Sequence, residues 1–419
     1  MTAVEGWKSK PLSGLLSLII DFRGKTPKKL GMEWGNGDIP ALSASNVGMG
    51  RIDFSKECYF GSETLYRKWM TKGDARMGDV VLTTEAPLGN VAQIPDGRRY
   101  ILSQRTVLLR ANDAEVCNDY LRHYLTSEWF QNLMRQQSSG TTATGIQRAK
   151  LETLPVNFPV SKPEQAIITG ILAMMDRAIE ETEVLIAKQR RIKTGLVQEL
   201  LTRGIDENGN LRSEQDHAFK DSPLGRIPAE WTVKSLEDCV EFWDGKRVPL
   251  KQEDRDAMEG DYPYYGASGI IDYINKYLFD EDLILLGEDG ENVVSRHLPL
   301  AFRVRGKIWV NNHAHVLKPK AGHDIIFLTE RLEFYDYTLL VSGSAQPKLN
   351  QRNLRRMELP IPGGSEQTRI SKVLASLEEN WQSRTADLAK LRALKTALMQ
   401  DLLTGKKRVT PLLELEPAH

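Results

Sequence analysis

The chain has 419 residues, enough for two domains or more, and its 41% apolar and 27% charged composition is that of an ordinary globular protein. No apolar run approaches the ~18 residues of a membrane span, and the opening MTAVEGWKSKPLSGLLSLII holds Glu5 and too short an apolar patch for a signal peptide. Formal net charge is zero, which argues against a protein that holds nucleic acid through bulk positive charge; basic groups would have to be gathered on one face.

In chain order, residues 1–153 read as a mixed α/β domain. Short β-rich runs, DVVLTT and YILSQRTVLLR, alternate with Gly, Pro and Asn turns, and one helix follows in NDYLRHYLTSEWFQNLMRQ. Residues 154–222 read as helical. Residues 223–357 form a second α/β domain, with DLILLG and KIWVNNHAHVL as strands and a helix in DIIFLTERLEFYD. Residues 358–419 are helical again. Cys58, Cys117 and Cys239 are distant and odd in number, which fits reduced thiols and a cytoplasmic setting, with no zinc-type spacing.

This order is an internal repeat. EQAIITGILAMMD from Glu164 returns as EQTRISKVLASLE from Glu366, and KTGLVQELLT from Lys193 as KTALMQDLLT from Lys395. DIPALSASNV from Asp38 matches DYPYYGASGI from Asp261, DVVLTTE from Asp79 matches DLILLGE from Asp282, and SGTTATGIQRAKL from Ser139 parallels SGSAQPKLNQRNL from Ser342. Trp7, Lys10 and Leu12 recur as Trp231, Lys234 and Leu236.

Within the first helical region Ile168, Leu172, Met175, Ile179, Thr182, Ile186, Gln189, Lys193, Leu196 and Leu200 step by four and three without a break. Ile370, Leu374, Leu377, Trp381, Arg384, Leu388, Leu391, Lys395, Leu398 and Leu402 do the same in the second. A sustained 3.5-residue period is a coiled-coil seam. Ser161 with Glu164 fits a capping box, Pro163 a first turn, Ser365 a second cap, and Gly204 and Gly405 the helix ends. Each helix would run about 40 residues, or roughly 60 Å. Antiparallel pairing would bury both seams and set the α/β domains at opposite ends, with Gln189 and Lys193 helping to fix register. The expected fold class is therefore α+β, two mixed α/β domains joined by two long antiparallel helices.

Several loop residues suit DNA. Arg23, Lys25, Lys28 and Lys29 cluster before the first matched block, and Lys246 and Arg247 hold the same place in the second. Such side chains hold phosphates or read guanine, against the competing reading of a solvated loop. Gln104 with Arg105, and Asn312 with His313, take matching strand positions. Amides pair with adenine and Arg with guanine, although internally satisfied strand residues are an equal reading. Thr141, Thr142, Gln346 and Lys348 lie in the paired SGTT and SGSAQPK loops, where phosphate binding competes with a plain structural turn.

Catalytic signatures are missing. Gly24-Lys25-Thr26 lacks the P-loop glycine, since Ile19 stands there; no GxGxxG follows a strand, and no GxSxG or [DN]PP[YF] occurs. Asp244 and Lys246 form an acid–lysine spacing that is common by chance. His313 and His315 share a strand face without a third ligand, so no metal is expected.

The motifs in this order resemble the specificity subunits of type I restriction–modification systems. The stretches that carry the resemblance are SPLGRIPAEW, YPYYGASGIIDYI, NNHAHVLKP, SGTT/SGSAQPK, LPIP before EQ, and the twin KT-x-L-x-Q-[ED]-LLT endings. The resemblance implies two target-recognition domains, each reading one half of a bipartite, asymmetric site in double-stranded DNA, with helices that set the gap. It implies two methyltransferase subunits as partners, with or without two restriction subunits, no membrane, and no cofactor held by this chain. Half-site centres would lie about one helical turn, roughly 10 bp, apart. The competing expectations are a methyltransferase or nuclease acting alone, and a coiled-coil adaptor that ignores DNA.

Overall fold

The computed structural model describes residues 4–22, 24–103, 105–139, 144–343 and 347–413. The chain divides into two compact units, one of residues 1–183 and 387–419, the other of residues 184–386. Each holds one α/β domain and half of each of two long helices, Lys162–Thr202 and Gly364–Leu402. Among the described residues no helix is long and apolar enough to cross a membrane.

Within both units the helices run antiparallel. In the first, Asp176 pairs with Lys395 at 2.5 Å and, further along, Glu183 with Arg392 at 2.7 Å. In the second, Lys193 meets Glu378, and Ile205, just past the first helix, donates its N–H to Glu366 at the start of the other. The apolar period explains the contact face. None of the ten first-helix seam positions is exposed, and in the second helix only Arg384 is. Ile168, Leu172, Leu200, Ile370, Leu374 and Leu402 are buried because they enter the cores of the α/β domains. Met175, Ile179, Leu196, Leu377, Trp381, Leu388, Leu391 and Leu398 are half-buried, as two helices alone can only half-enclose a seam.

The helix starts depart from the expected caps. Ser161 Oγ accepts the Glu164 N–H at 3.3 Å, but the Glu164 carboxylate does not turn back to close a box. Arg408 takes it instead, through Nε at 2.7 Å and Nη2 at 2.8 Å. Ser365 lies inside the second helix, and the Gly363 carbonyl accepts the N–H groups of Glu366 and Gln367. Glu366 is claimed by Arg212, Trp231 Nε1 at 3.1 Å and Ile205 N–H at 3.0 Å. Both glutamates are almost wholly buried. Gln165 and Gln367 do a second task. Their side chains accept from the N–H of Cys117 and Asp324, the N-caps of the domain helices Asn118–Thr126 and Ile325–Phe334, and donate to Pro159 and Pro362 carbonyls. The repeated Glu-Gln therefore ties each long helix to its α/β domain.

Both long helices stop at glycines with left-handed φ, +65° at Gly204 and +70° at Gly405. At Gly204 a Cβ would also lie 2.2 Å from Glu366 Oε1 and 2.6 Å from the Trp231 ring, so close approach requires glycine as well.

In each unit a two-stranded ladder closes the α/β domain, Trp7–Pro11 with Pro155–Pro159 and Thr232–Ser235 with Glu358–Ile361. The first unit's main sheet runs Leu16–Asp21, Thr106–Ala111, Val80–Thr84, Leu88–Gln93. The second begins in the same order, Val240–Phe242, Ala314–Pro319, Phe279–Gly287, Ala301–Val310, and adds Glu259–Gly266 and Gly269–Ile274. Ala301–Val310 pairs antiparallel on one side and parallel on the other. In the first unit that double role is split between Leu88–Gln93 and Ile101–Leu102, across the Pro95-Asp-Gly-Arg-Arg turn. The single helix expected over NDYLRHYLTSEWFQNLMRQ is two, because Ser127 is extended (φ −66°, ψ 144°) and caps Glu128–Gln137 through Phe130 N–H.

Arg408→Ala should strand the Glu164 carboxylate and cost about 3 kcal/mol, whereas Glu164→Met with Arg408→Met should cost less; urea unfolding checks both. A second expectation concerns His123, whose buried ring accepts from Arg122 Nη2 at 2.8 Å. Burial, then the charges of Arg122 and Lys395, lower its pKa from 6.5 to about 3, with Asp176 opposing. The unfolded chain therefore binds a proton below its pKa that the folded chain refuses, and stability falls as pH drops from 6.5 toward 3. About 2 kcal/mol should be lost by pH 5, and His123→Gln should flatten that part of a melting-temperature profile.

Candidate nucleic-acid interface

Ladder register brings the loops singled out by sequence to one end of each main sheet. Asp21 pairs with Val107 and Thr83 with Thr106, so the chain leaves Leu16–Asp21 and Val80–Thr84 where Thr106–Ala111 begins. Phe242 with Leu317 and Gly287 with Ala314 place the second unit's loops likewise. The fourth loop joins through bridges from Glu85 to Gly145 and from Asp289 to Lys348.

That register shifts the repeat by one residue from its sequence alignment. With Arg105 matched to His313, Glu85 corresponds to Asp289 rather than to Glu288. The bridges and the bonds Ile146 N–H to Thr84 O and Leu349 N–H to Glu288 O agree with the shift.

Arg23, Gln104, Thr141, Thr142 and Gln346 lie outside the described residues. Lys25 Nζ donates to the carbonyls of Lys68 (3.0 Å) and Trp69 (2.7 Å) over the Phe22 and Trp69 rings. Burial, then the Lys72 charge, lower its pKa. Lys28 and Lys29 are exposed in a short 3-10 turn, with Lys29 Nζ bonded to Gly24 O at 2.6 Å. Lys72, which sequence reading missed, is brought to the same loop, bonding Asp21 O at 2.9 Å with its Nζ 5.4 Å from the Phe22 ring centroid. Only the fold could reveal it.

In the second unit Lys246 Nζ sits 3.3 Å from the Trp243 ring centroid, and Lys318 4.6 Å from it. Arg247 is turned inward. It bonds Glu288 Oε2 at 2.6 Å, Ala314 O at 2.8 Å and Asp244 O at 3.0 Å. Lys348 pairs with the same Glu288 at 3.1 Å. Burial works against the carboxylates of Glu288 and Asp244, yet both are held below their ordinary range. Arg247, His315 and Lys348 do this for Glu288, and His315, Val316 N–H and Arg247 for Asp244.

Arg105, Asn312 and His313 occupy turns that precede the strands, not strand positions. Arg105 has φ +68°, which no non-glycine residue of these strands carries, and Asn311 Oδ1 accepts the His313 N–H at 2.8 Å in place of a ladder bond. Asn312 is exposed. His313 and His315 do not share a surface. His315 is buried, with Nδ1 2.7 Å from Asp244 and Nε2 2.9 Å from Leu349 O. Neither nitrogen is left to abstract a proton, so Asp244 and His315 brace loops, helped by Gln351 on Asp244 at 2.7 Å. Among the described residues no group of three or more His, Cys, Asp or Glu is arranged to hold a metal ion.

Two domains of equivalent topology, each with basic groups on braced loops at one sheet end, define a paired binding scaffold. The type I restriction modification DNA specificity domain family matches residues 4–188 and again 228–392, and the chain belongs to that family. It is 24% identical over 351 residues to the MjaVIII specificity subunit of Methanocaldococcus jannaschii, covering 77% of this chain and 78% of that one. The EcoprrI specificity subunit of Escherichia coli is 24% identical over 86% of this chain and 85% of its own. The Haemophilus influenzae protein S.HindORF215P is 31% identical over 164 residues, 39% of this chain and 41% of that protein. The type I S subunit of M. genitalium shares the fold, with a TM-score of 0.60 at 16% identity over 94% of this chain and 96% of that one.

Replacing Lys28, Lys29 and Lys72 together with Ala should weaken DNA binding and flatten its salt dependence, by about 0.9 in log–log slope for each phosphate left without its cation. An unchanged slope would remove them from the DNA face.

Proposed function

We propose that this chain is the non-catalytic specificity subunit of a type I restriction–modification complex, and that it reads a bipartite, asymmetric DNA site. The observation that carries the reading is the doubled match of one DNA specificity domain family on two structurally equivalent but different α/β domains. Like scaffolds with unlike loops suit a site whose halves differ.

On this reading residues 1–153 and 223–357 are the target-recognition domains, and residues 154–222 and 358–419 the helical scaffold. Lys28, Lys29, Lys72 and Lys246 meet phosphates; Arg105, Asn312 and His313 face base edges. Arg247 and Lys348, being paired with Glu288, hold loops in place. Arg23, Gln104, Thr141, Thr142 and Gln346, outside the described residues, remain further candidates for DNA contact on their sequence positions. Two methyltransferase subunits dock on the helices and neighbouring faces, two restriction subunits complete the cleaving form, and the complex works in the cytoplasm. Methyl donor and ATP belong to those partners.

Comparing DNA methylation in the source cell with and without this gene tests the reading. One bipartite, non-palindromic methylated motif should vanish on deletion and return with the gene. A methylation pattern that is identical in both strains would overturn it.

A further inference from the structure

How the reading side chains are aimed is a further question, and its answer rests on the specificity reading. At repeat-equivalent places the two units carry the same kind of pair. Glu85 Oε1 lies 3.0 Å from Arg105 Nε, and both Asp289 oxygens lie 2.9 Å from His313 Nδ1. Both basic groups stand at the sheet end, Arg105 50% and His313 48% exposed, while Asp289 is only 14% exposed. Both acids sit on backbone that is fastened to the fourth loop, through the Glu85–Gly145 and Asp289–Lys348 bridges. The first unit also holds Arg105 in a left-handed conformation that L side chains rarely adopt. The type of base changes between units, from guanidinium to imidazole, and the acid changes length with it. The pairing itself is kept.

We propose that Glu85 and Asp289 are positioning residues for sequence reading: each fixes the face that its basic partner offers to a base edge, Arg105 in the first recognition domain and His313 in the second. For His313 the chemistry is specific. A carboxylate against Nδ1 accepts a hydrogen bond from the Nδ1–H, which fixes that tautomer and leaves Nε2, on the far edge of the ring, with a lone pair. That nitrogen accepts a hydrogen bond, so its partner is an exocyclic amino group, N6 of adenine or N4 of cytosine. For Arg105, an ion pair through Nε stops rotation of the guanidinium plane, which suits guanine O6 and N7. In the second unit the neighbouring cations do not compete for Asp289. Arg247 and Lys348 are already paired with Glu288, one residue earlier in the chain.

The test uses the full chain in complex with its methyltransferase subunit, scoring methyl transfer on duplexes varied one position at a time through the site. In Asp289→Asn the side-chain amide can donate to Nδ1 and move the ring proton to Nε2. Preference at one position of one half-site should then relax about tenfold and turn from an amino-bearing base toward an acceptor such as guanine. Glu85→Gln should relax one position in the other half-site only. Asp289→Glu and Glu85→Asp, which keep the carboxylate, should restore discrimination, and His313→Ala should lose it at the position that Asp289→Asn affects. Melting temperatures show whether each variant is folded; should Asp289→Asn unfold, His313→Ala, altered at an exposed side chain, carries the test alone. Variants that slow transfer equally on every duplex, with base preferences intact, would overturn the proposal, as would a His313→Ala complex with unchanged preference. A wild-type complex without any sequence preference would instead sink the specificity reading itself.

Discussion

Two buried glutamates govern how this chain is assembled. Glu164 and Glu366 each open a long helix, and each is gripped by an arginine that follows the end of the other helix, Arg408 and Arg212. A buried ion pair adds little stability compared with a well-packed apolar alternative, but losing one partner leaves a stranded charge. The pair therefore acts as a condition on assembly: a long helix is seated only when the opposite helix has ended in the right place. Trp231 extends the same logic to its α/β domain, and its repeat counterpart Trp7 does not. Trp231 donates to Glu366, whereas both Glu164 oxygens are taken by Arg408 and Trp7 Nε1 has no partner among the described residues.

Between these latches the helices have little core to rely on, and polar pairs take over the setting of register. Asp176 with Lys395 and Glu378 with Lys193 use the same two repeat positions with roles exchanged. Such reciprocity is what a self-complementary contact requires. Burial opposes the charge on Asp176, yet Lys395 and Arg122 hold it well below the ordinary carboxylate range. Arg122 comes from the helix Asn118–Thr126, so the register pair is also fastened to the α/β domain. Sliding the helices by a turn would separate these charges in a partly dry setting, a penalty of a kind that an apolar seam alone does not impose.

The long-range plan is legible in the sequence because it is written in periods and repeats. The 3.5-residue seam and the terminating glycines act within each helical stretch, the doubled Glu-Gln marks where each stretch begins, and the helices follow them. Details that depend on strand register are not legible. The one-residue shift that matches Glu85 to Asp289 arises from ladder pairing, which similar acids at adjacent positions hide. Ser161 and Glu164 carry a capping-box signature, but an arginine 244 residues away competes for the carboxylate and wins. Arg247 reads as a DNA-facing cation because Glu288, the acid it bonds most closely, lies 41 residues away and nothing local reveals it. Lys72 gives no signal for the converse reason, since only tertiary folding carries it to the loop of Lys28 and Lys29.

If each glutamate–arginine latch seats an α/β domain on its helices, while on the proposed reading the loops alone set which bases are read, the two properties should come apart on mutation. Mapping the methylated motif of complexes built with Arg212→Ala or Arg408→Ala tests this directly. The bases in both half-sites should stay the same while the gap between them becomes permissive, admitting more than one spacer length. A motif whose gap stays fixed in both latch variants, or whose bases change while the gap does not, would contradict it.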